Sequence, residues 1–212
     1  SVDALPELLQ TAQATIAGHI KKSKQFFSEA VKVGAIKQNP FESVAAGTQH
    51  NDERSLYVSA ETIEKVIAKA PDAQWRLIIA LSRYAGLRCP SEVLALRWAD
   101  VDFVNGTMTV TSSKTAKQGK AKRLVPILPQ LRPYLEDAFD PEADRCISRY
   151  QISTANLRTE FLRILKRAEV EPWPRLFHNL RGSLETDLFE KFPAHVVVAW
   201  LGNSERIALK HY

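Results

Sequence analysis

Apolar residues recur every three or four positions through most of the chain, which is the spacing of one buried helix face. This pattern predicts helices over about 15–33, 59–70, 73–85, 129–139, 153–168 and 194–201. Ser59 and Ser153 stand where helix N-caps are expected, and Gly86 and Gly202 stand just beyond predicted helix ends. Pro90 suits the first turn of a helix, so a further short helix is predicted there.

One part of the chain alternates apolar and polar residues instead of following the helical period. The pair Asn105-Gly106 separates residues 102–104 from the alternating residues 108–111, which is typical of a tight hairpin. A further strand is predicted over about 123–127. The pattern therefore predicts an α+β fold that is mostly α-helical and contains a small antiparallel sheet.

Composition is that of an ordinary folded domain. Of the 212 residues, 45% are hydrophobic and 25% are charged. No apolar run approaches the roughly 18 residues that cross a bilayer, and the first residues lack the basic and apolar regions of a signal peptide. Cys89 and Cys146 show no CxxC spacing, so we expect free thiols in a reducing compartment and no zinc site.

The net charge of +5 is compatible with a polyanionic partner, although many proteins that bind no nucleic acid have a similar charge. Basic residues are most concentrated between the last two predicted strands, in the run SSKTAKQGKAKR. Such a run is either a solvated hairpin tip or a surface that meets a DNA backbone. The residues that would make this contact are Lys114, Lys117, Lys120, Lys122 and Arg123.

The segment 177–212 concentrates side chains that suit phosphate chemistry. His178 and Arg181 are three residues apart on a predicted helix, which places both on one face of its first turn. A guanidinium matches phosphate oxygens two at a time, and the N–H groups of a first turn add positive potential. Tyr212 could act as a nucleophile if nearby cations activated its phenol. Taken singly, these features are usually a solvated helix face and a packing tyrosine, so their order and spacing carry the hypothesis.

Several motifs in a fixed order make the chain similar to the tyrosine recombinases, the phage integrase family. The string HNLR is followed by LGN, and Tyr212 lies nine residues after Asn203, as the family's tyrosine follows its histidine. Upstream, GLR and LALRWADVD resemble the segment that carries the family's first catalytic arginine, here Arg88. The sequence departs from the family pattern at two positions. Glu92 follows Arg88 by four residues rather than three, and Asn203 replaces the usual histidine.

The resemblance implies an enzyme that cleaves and rejoins DNA strands through a 3′-phosphotyrosyl intermediate, without a metal ion or cofactor. Arg88 and Arg181 would clamp the scissile phosphate, and Tyr212 would attack it. Lys114 would protonate the departing 5′ oxygen, with Lys117 as the alternative in the same turn.

Three further residues complete the site that the resemblance implies. His178 would accept or shuttle the tyrosine proton. Asn203 can donate a hydrogen bond to the phosphate but cannot carry a proton, so we expect catalysis to be retained or reduced. Glu92 would buttress Arg88 or a neighbour of Arg88.

The segment KQFFSEAVKVGAIKQNPFESV resembles the final helix of the family's core-binding domain, a helical clamp on DNA. The implied organisation is the end of that domain at 1–48, a linker at 49–54 and an integrase-type catalytic domain at 55–212. Lys21 and Lys24 are candidate DNA contacts in the first part, although five lysines oppose four acidic residues among the first fifty. We expect the natural protein to continue beyond both ends of this sequence.

The implied partners are double-stranded DNA, further copies of the chain in a homotetramer on DNA, and accessory DNA-bending proteins. No membrane partner is implied, and the isolated protein could be a monomer. The implied location is the cytoplasm, with a bacterial nucleoid, phage or mobile element. Three alternatives stay open: a DNA-binding relic of the same fold, an enzyme similar to type IB topoisomerases, and a basic helical protein with no nucleic acid role.

Overall fold

The computed structural model describes residues 5–47, 55–112, 122–150 and 156–203. The chain divides into two compact units, Ser1–Glu53 and Arg54–Tyr212. The predicted linker at 49–54 lies outside the described residues. Within the described ranges, no helix is long and apolar enough to cross a membrane.

Residues 5–47 of the first unit form one long helix and the turns that follow it. Helix α1 spans Leu5–Lys32, so it begins about ten residues earlier than the apolar period predicts. Asn39 ties the turns to the helix, because its Nδ2 donates to the carbonyl of Lys24 at 3.0 Å and to Oγ of Ser28 at 2.9 Å. The rings of Phe27 and Phe41 stack with their centroids 5.2 Å apart.

The second unit contains the remaining helices. Helix α2 spans Ala60–Ile67, and the hydroxyl of Ser59 accepts from the backbone N–H of Thr62, which confirms the predicted N-cap. The helices that follow are α3 at Ala73–Tyr84, α4 at Arg132–Asp137, α5 at Leu157–Arg167, α6 at Leu176–Phe189 and α7 at Ala194–Leu201.

The sheet is a three-stranded antiparallel meander. Its strands are β1 at Val101–Asp102, β2 at Thr107–Thr111 and β3 at Lys122–Pro126, in the order β1-β2-β3. Gly106 adopts a φ of 64° in the predicted hairpin turn, a backbone conformation that favours glycine. The α+β, mostly helical prediction is therefore confirmed.

Helix α3 forms the centre of the core. Nine of its twelve residues are buried, because it contacts α2, α4 and α6 on different sides. The predicted packing role of Trp173 is also confirmed, since it is 5% exposed and lies edge-on against Phe161. Both cysteines are free thiols.

Three further helix predictions differ from the structure. Residues 89–95 form a run of turns rather than a helix from Pro90, because the carbonyl of Arg88 accepts from both Glu92 and Val93 and breaks the helical ladder. Helix α4 is shorter than the predicted 129–139. Helix α5 begins at Leu157 with Asn156 as its N-cap residue, so Ser153, which lies outside the described residues, is not its cap.

Candidate active site

Arg88 lies in the turn that follows α3, where Gly86 adopts a φ of 61° and redirects the chain. Its side chain is 23% exposed. Nη1 donates to Oε1 of Glu92 at 2.5 Å and to Oγ of Ser112 at 3.3 Å, and Nη2 donates to the carbonyl of Gly202 at 3.1 Å. These contacts fix the guanidinium, and three of its five N–H groups are used by the described residues.

Glu92 is a buried carboxylate shared between two arginines. Its side chain is 1% exposed and accepts from the backbone N–H and Nη1 of Arg88. Arg123 meets the same carboxylate with both terminal nitrogens, at 2.9 and 2.7 Å. Burial alone would raise the pKa of Glu92, but the hydrogen bonds and charges of Arg123 and Arg88 outweigh it and lower the pKa to about 2. The carboxylate therefore stays ionised and neutralises only part of the charge of the two arginines.

Arg181 reaches the same place from α6. Its Nη1 donates to the carbonyl of Gly86, and its Nη2 donates to the carbonyl of Leu201 at 2.5 Å and to Oδ1 of Asn203 at 2.8 Å. Burial, with the nearby charges of Arg88 and Arg123, lowers the pKa of Arg181 to about 10. The guanidinium is still charged at neutral pH, and the cations Arg88 and Arg123 add to the lowering by burial while Glu92 and Glu185 oppose it.

Three consecutive carbonyl groups at the end of α7 bring these arginines together. The carbonyl of Trp200 accepts from Nε of Arg123 at 2.8 Å, while those of Leu201 and Gly202 accept from Arg181 and Arg88. The last carbonyls of a helix have no partner within the helix and lie at its negative end, so cations stabilise them. The same residues lead directly into the segment that ends at Tyr212.

Asn203 lies beside this cluster. Its Oδ1 accepts from Arg181, and its Nδ2 donates to Oε1 of Glu185 at 2.7 Å. Asn203 also lines a cavity of about 530 Å³ whose wall includes Lys122 and Arg123. The structure therefore brings together Arg88, Arg181 and Asn203 from the predicted set.

The other predicted residues have different positions. His178 is exposed in the first turn of α6. Lys122 is exposed at the start of β3. In the first unit Lys21 is exposed, and Nζ of Lys24 donates to the carbonyl of Glu42 at 3.0 Å. The residues that lie outside the described ranges are Lys114, Lys117, Lys120 and Tyr212.

Arg123 was predicted as an exposed DNA contact together with the hairpin lysines. Its side chain is instead 10% exposed and is bound to Glu92. The reason is the strand alternation, since Arg123 and the buried Val125 lie on one side of β3 while Lys122 and Leu124 are exposed on the other. Strand periodicity was the signal that could have identified Arg123 as part of the site.

Helix α6, which carries Arg181, is fixed to the start of the second unit. Oγ of Ser183 accepts from the backbone N–H of Val58 at 2.7 Å. Arg83 is 1% exposed and donates to the carbonyl of Val58 and, at 2.6 Å, to Oδ2 of Asp187. These buried contacts position the helix, and nothing in the sequence around Ser183 or Asp187 indicated them.

The arrangement defines a class of site. It is a cluster of three arginines with fewer acidic partners, and such a cluster is suited to bind an anion such as a phosphate. In the part of the chain that the structure describes, no group of three or more His, Cys, Asp and Glu side chains could hold a metal ion. The arginines can stabilise charge on a phosphate but cannot act as proton donors, which leaves proton transfer to other residues.

The chain belongs to the phage integrase family, whose model matches residues 49–212. It is 32% identical over 145 residues to the tyrosine recombinase XerA of Thermococcus kodakarensis, covering 63% of this chain and 49% of that protein. It is 25% identical to a tyrosine recombinase XerC-like protein of Caldanaerobacter subterraneus subsp. tengcongensis, covering 85% of this chain and 57% of the relative. The chain thus spans about half the length of these curated relatives.

Solved structures with the same fold include integrases and a recombinase. A lambda integrase dimer bound to a COC′ core site matches with a TM-score of 0.69 and 18% identity, covering 95% of this chain and 75% of that chain. The XerA recombinase matches with a TM-score of 0.60 and 19% identity, covering 85% and 67%. A lambda integrase tetramer bound to a Holliday junction matches with a TM-score of 0.68 and 20% identity, covering 87% and 57%.

Proposed function

We propose that this chain is the catalytic part of a site-specific DNA recombinase that cuts and rejoins strands through a 3′-phosphotyrosyl intermediate. The observation that carries the proposal is the convergence of Arg88 and Arg181, distant in sequence, on adjacent carbonyls at the end of α7. Among the described residues each guanidinium uses three of its five N–H groups, and Asn203 lies beside Arg181. Family membership supports the same conclusion.

The proposed first step is an in-line displacement at phosphorus. Oη of Tyr212 attacks the scissile phosphate, the P–O5′ bond breaks, and a phosphotyrosyl bond forms at the 3′ end. Arg88 and Arg181 offset the charge that grows on the non-bridging oxygens. His178 accepts the tyrosine proton, and Lys114 supplies a proton to the 5′ oxygen.

The second step reverses the first with a different strand. A 5′ hydroxyl from a partner duplex attacks the phosphotyrosyl bond and releases Tyr212. The phosphodiester bond energy is kept in the covalent link, so no nucleotide or external energy source is needed. Two such rounds on two duplexes call for several copies of the chain, and we propose a tetramer on DNA by analogy with the lambda integrase tetramer bound to a Holliday junction. The substrate would place the protein with the DNA in the cytoplasm.

Residues 1–48 are proposed to be the end of a core-binding domain. The support is the sequence resemblance together with the long helix α1, which precedes the unit that carries the site. Lys21 would meet the DNA backbone from this part, and Lys122 with the hairpin lysines would do so from the second unit.

The experiment is a covalent trapping assay with the full chain. The probe is a pool of nicked duplexes with randomised sequence around the nick. Cleavage releases the short piece of strand between the cleavage point and the nick, and this piece carries the 5′ hydroxyl. Its diffusion away prevents rejoining and traps the intermediate. We expect a protein–DNA adduct on a denaturing gel that disappears in Tyr212→Phe while DNA binding persists. Binding that weakens with salt but gives no adduct in the wild-type protein would instead favour the DNA-binding relic.

A further inference from the structure

Asn203 is held between two opposite charges on one face of α6. Arg181 and Glu185 are four residues apart on that helix, which places their side chains on one face. The carboxamide of Asn203 lies against both, with Oδ1 at 2.8 Å from Nη2 of Arg181 and Nδ2 at 2.7 Å from Oε1 of Glu185. The position where the family usually has histidine is therefore occupied by an amide with two charged neighbours.

Chemistry fixes the orientation of this amide. A guanidinium has only donors and a carboxylate has only acceptors, so the oxygen of Asn203 must face Arg181 and its nitrogen must face Glu185. The flipped amide would place donor against donor and acceptor against acceptor. Without Glu185, one of the two restraints on the flip is gone.

We propose that Glu185 is a positioning residue that orients Asn203, so that one Nδ2 hydrogen is held by Glu185 and the other is presented to the scissile phosphate. The inference rests on the proposed function. An amide nitrogen carries two hydrogens, and within the described residues only Glu185 accepts from Nδ2 of Asn203. Asn203 lines the cavity whose wall also includes the basic residues Lys122 and Arg123, and the proposal directs the second hydrogen toward this cavity. The donor is neutral and does not titrate, unlike a histidine.

Glu185 could instead act through its charge alone. Its carboxylate is among the charges that raise the pKa of Arg181 against the larger lowering by burial and by Arg88. Glu185→Gln separates the two effects, because glutamine removes the charge but its carbonyl can still accept from Nδ2 of Asn203. Glu185→Ala removes both the charge and the acceptor.

The test measures the single-turnover rate of adduct formation by the full chain on nicked duplexes selected from the randomised pool. We expect Glu185→Ala to cleave about tenfold more slowly and Glu185→Gln to stay within about threefold of wild type. Asn203→Ala is expected to lose about a hundredfold, and adding Glu185→Ala to it should cost no more than about twofold further. Glu190→Ala is the matched control, since it removes one carboxylate at an exposed position at the end of the same helix.

Three outcomes would overturn the inference. Wild-type rates in Glu185→Ala would show that the contact has no role. Equal losses in Glu185→Gln and Glu185→Ala would assign the effect to charge. A full tenfold loss from Glu185→Ala in the Asn203→Ala background would show that Glu185 does not act through Asn203.

A readout independent of cleavage separates this inference from the proposed function. In Tyr212→Phe protein, the Nδ2 resonances of Asn203 are followed by ¹⁵N NMR. The chemical shift of one Nδ2 proton should change when Glu185 is replaced by alanine. The chemical shift of the other should change when nicked duplex is added. If the first shift occurs but DNA moves neither proton and wild type forms no adduct, the proposed function fails. If adducts form but neither proton responds to Glu185→Ala, only the positioning role fails.

Discussion

Glu92 sets the charge balance of the site because its single carboxylate is shared by Arg88 and Arg123. Four donors from the two arginines surround it, which satisfies both of its oxygens. If Arg123 were absent, the carboxylate would pair with Arg88 alone and cancel its charge. Because Arg123 shares the negative charge of Glu92, part of the positive charge of Arg88 stays uncompensated. The two hydrogen bonds from Arg123 also satisfy the buried carboxylate.

A change of Glu92→Gln should alter how the stability of the protein depends on pH. Because the pKa of Glu92 in the folded protein is about 2, below the ordinary value of 4.5, the unfolded chain takes up this proton first as the pH falls. The ionised carboxylate therefore stabilises the fold fully above about pH 4.5, and this contribution of about 3 kcal/mol disappears as the pH falls toward 2. The measurement is the free energy of unfolding from urea titrations between pH 2 and 6.

We expect the difference in unfolding free energy between wild type and Glu92→Gln to be large at pH 6 and to shrink as the pH falls. Glu171→Gln serves as the control, since it removes one charge at an exposed position before α6. A difference that stays constant from pH 6 to pH 2 would mean that Glu92 is not held in its charged form by the two arginines.

At the scale of single residues, the sequence identified Arg88, Arg181 and Glu92 as candidates but missed Glu185 and the inward position of Arg123. Arg88 and Arg181 could be identified from motifs whose spacing is visible along the chain. Glu185 could not, because its contact with Asn203 depends on how α6 and α7 pack. Arg123 was placed with the exposed lysines because a run of basic residues hides the strand alternation that turns it inward.

At the scale of secondary structure elements, the turn after α3 packs directly against the end of α7. A Cβ added to Gly86 would lie 2.5 Å from Cδ2 of Leu201 and 3.2 Å from Cδ2 of Leu184. The carbonyl of Gly86 also accepts from Arg181. The close approach of these two elements therefore brings Arg88 and Arg181 to adjacent carbonyls.

The change Gly86→Ala should destabilise the protein more than Gly106→Ala does. Both glycines have a φ above 60°, so each alanine costs about 1–2 kcal/mol from the backbone alone. A Cβ at Gly106 meets nothing within 4 Å, whereas at Gly86 it meets the buried Leu201, which adds about 1–3 kcal/mol of overpacking. Urea unfolding of the two variants gives the comparison, and equal losses would show that α7 does not pack closely on this turn.

Helix positions were predictable where an apolar face and a cap coincide, as for α2 with Ser59 and α7 with Gly202. The segment at Pro90 was not, because tertiary contacts override the local preference. The side chain of Glu92 accepts from the backbone N–H of Arg88. Residues 89–95 form turns that allow this contact instead of a helix.

At the scale of the whole molecule, positive charge is distributed unequally between the two units. Up to Glu53 the chain has five lysines and no arginine against six acidic residues, so the excess that gives the net charge of +5 lies in the second unit. The large hydrophobic core cluster also lies between Val58 and Leu180, within that unit. Both the folding energy and the electrostatic attraction to DNA should therefore reside mainly in residues 54–212.

A chain of residues 54–212 should fold cooperatively and keep most of the salt dependence of DNA binding. Each lysine or arginine that neutralises a phosphate releases a counterion, so the slope of log Kd against log salt counts the contacts. Because Lys21 is the phosphate contact proposed for the first unit, which has no positive excess, its removal should lower the size of this slope by about one contact, even if affinity falls further through lost non-ionic contacts. The measurement compares both chains on a random-sequence duplex across a salt series, with unfolding followed by circular dichroism. A slope that collapses in the shorter chain, while it still unfolds cooperatively, would locate the main phosphate contacts in the first unit and would make Lys21 and its neighbours, rather than the hairpin lysines, the principal DNA contacts.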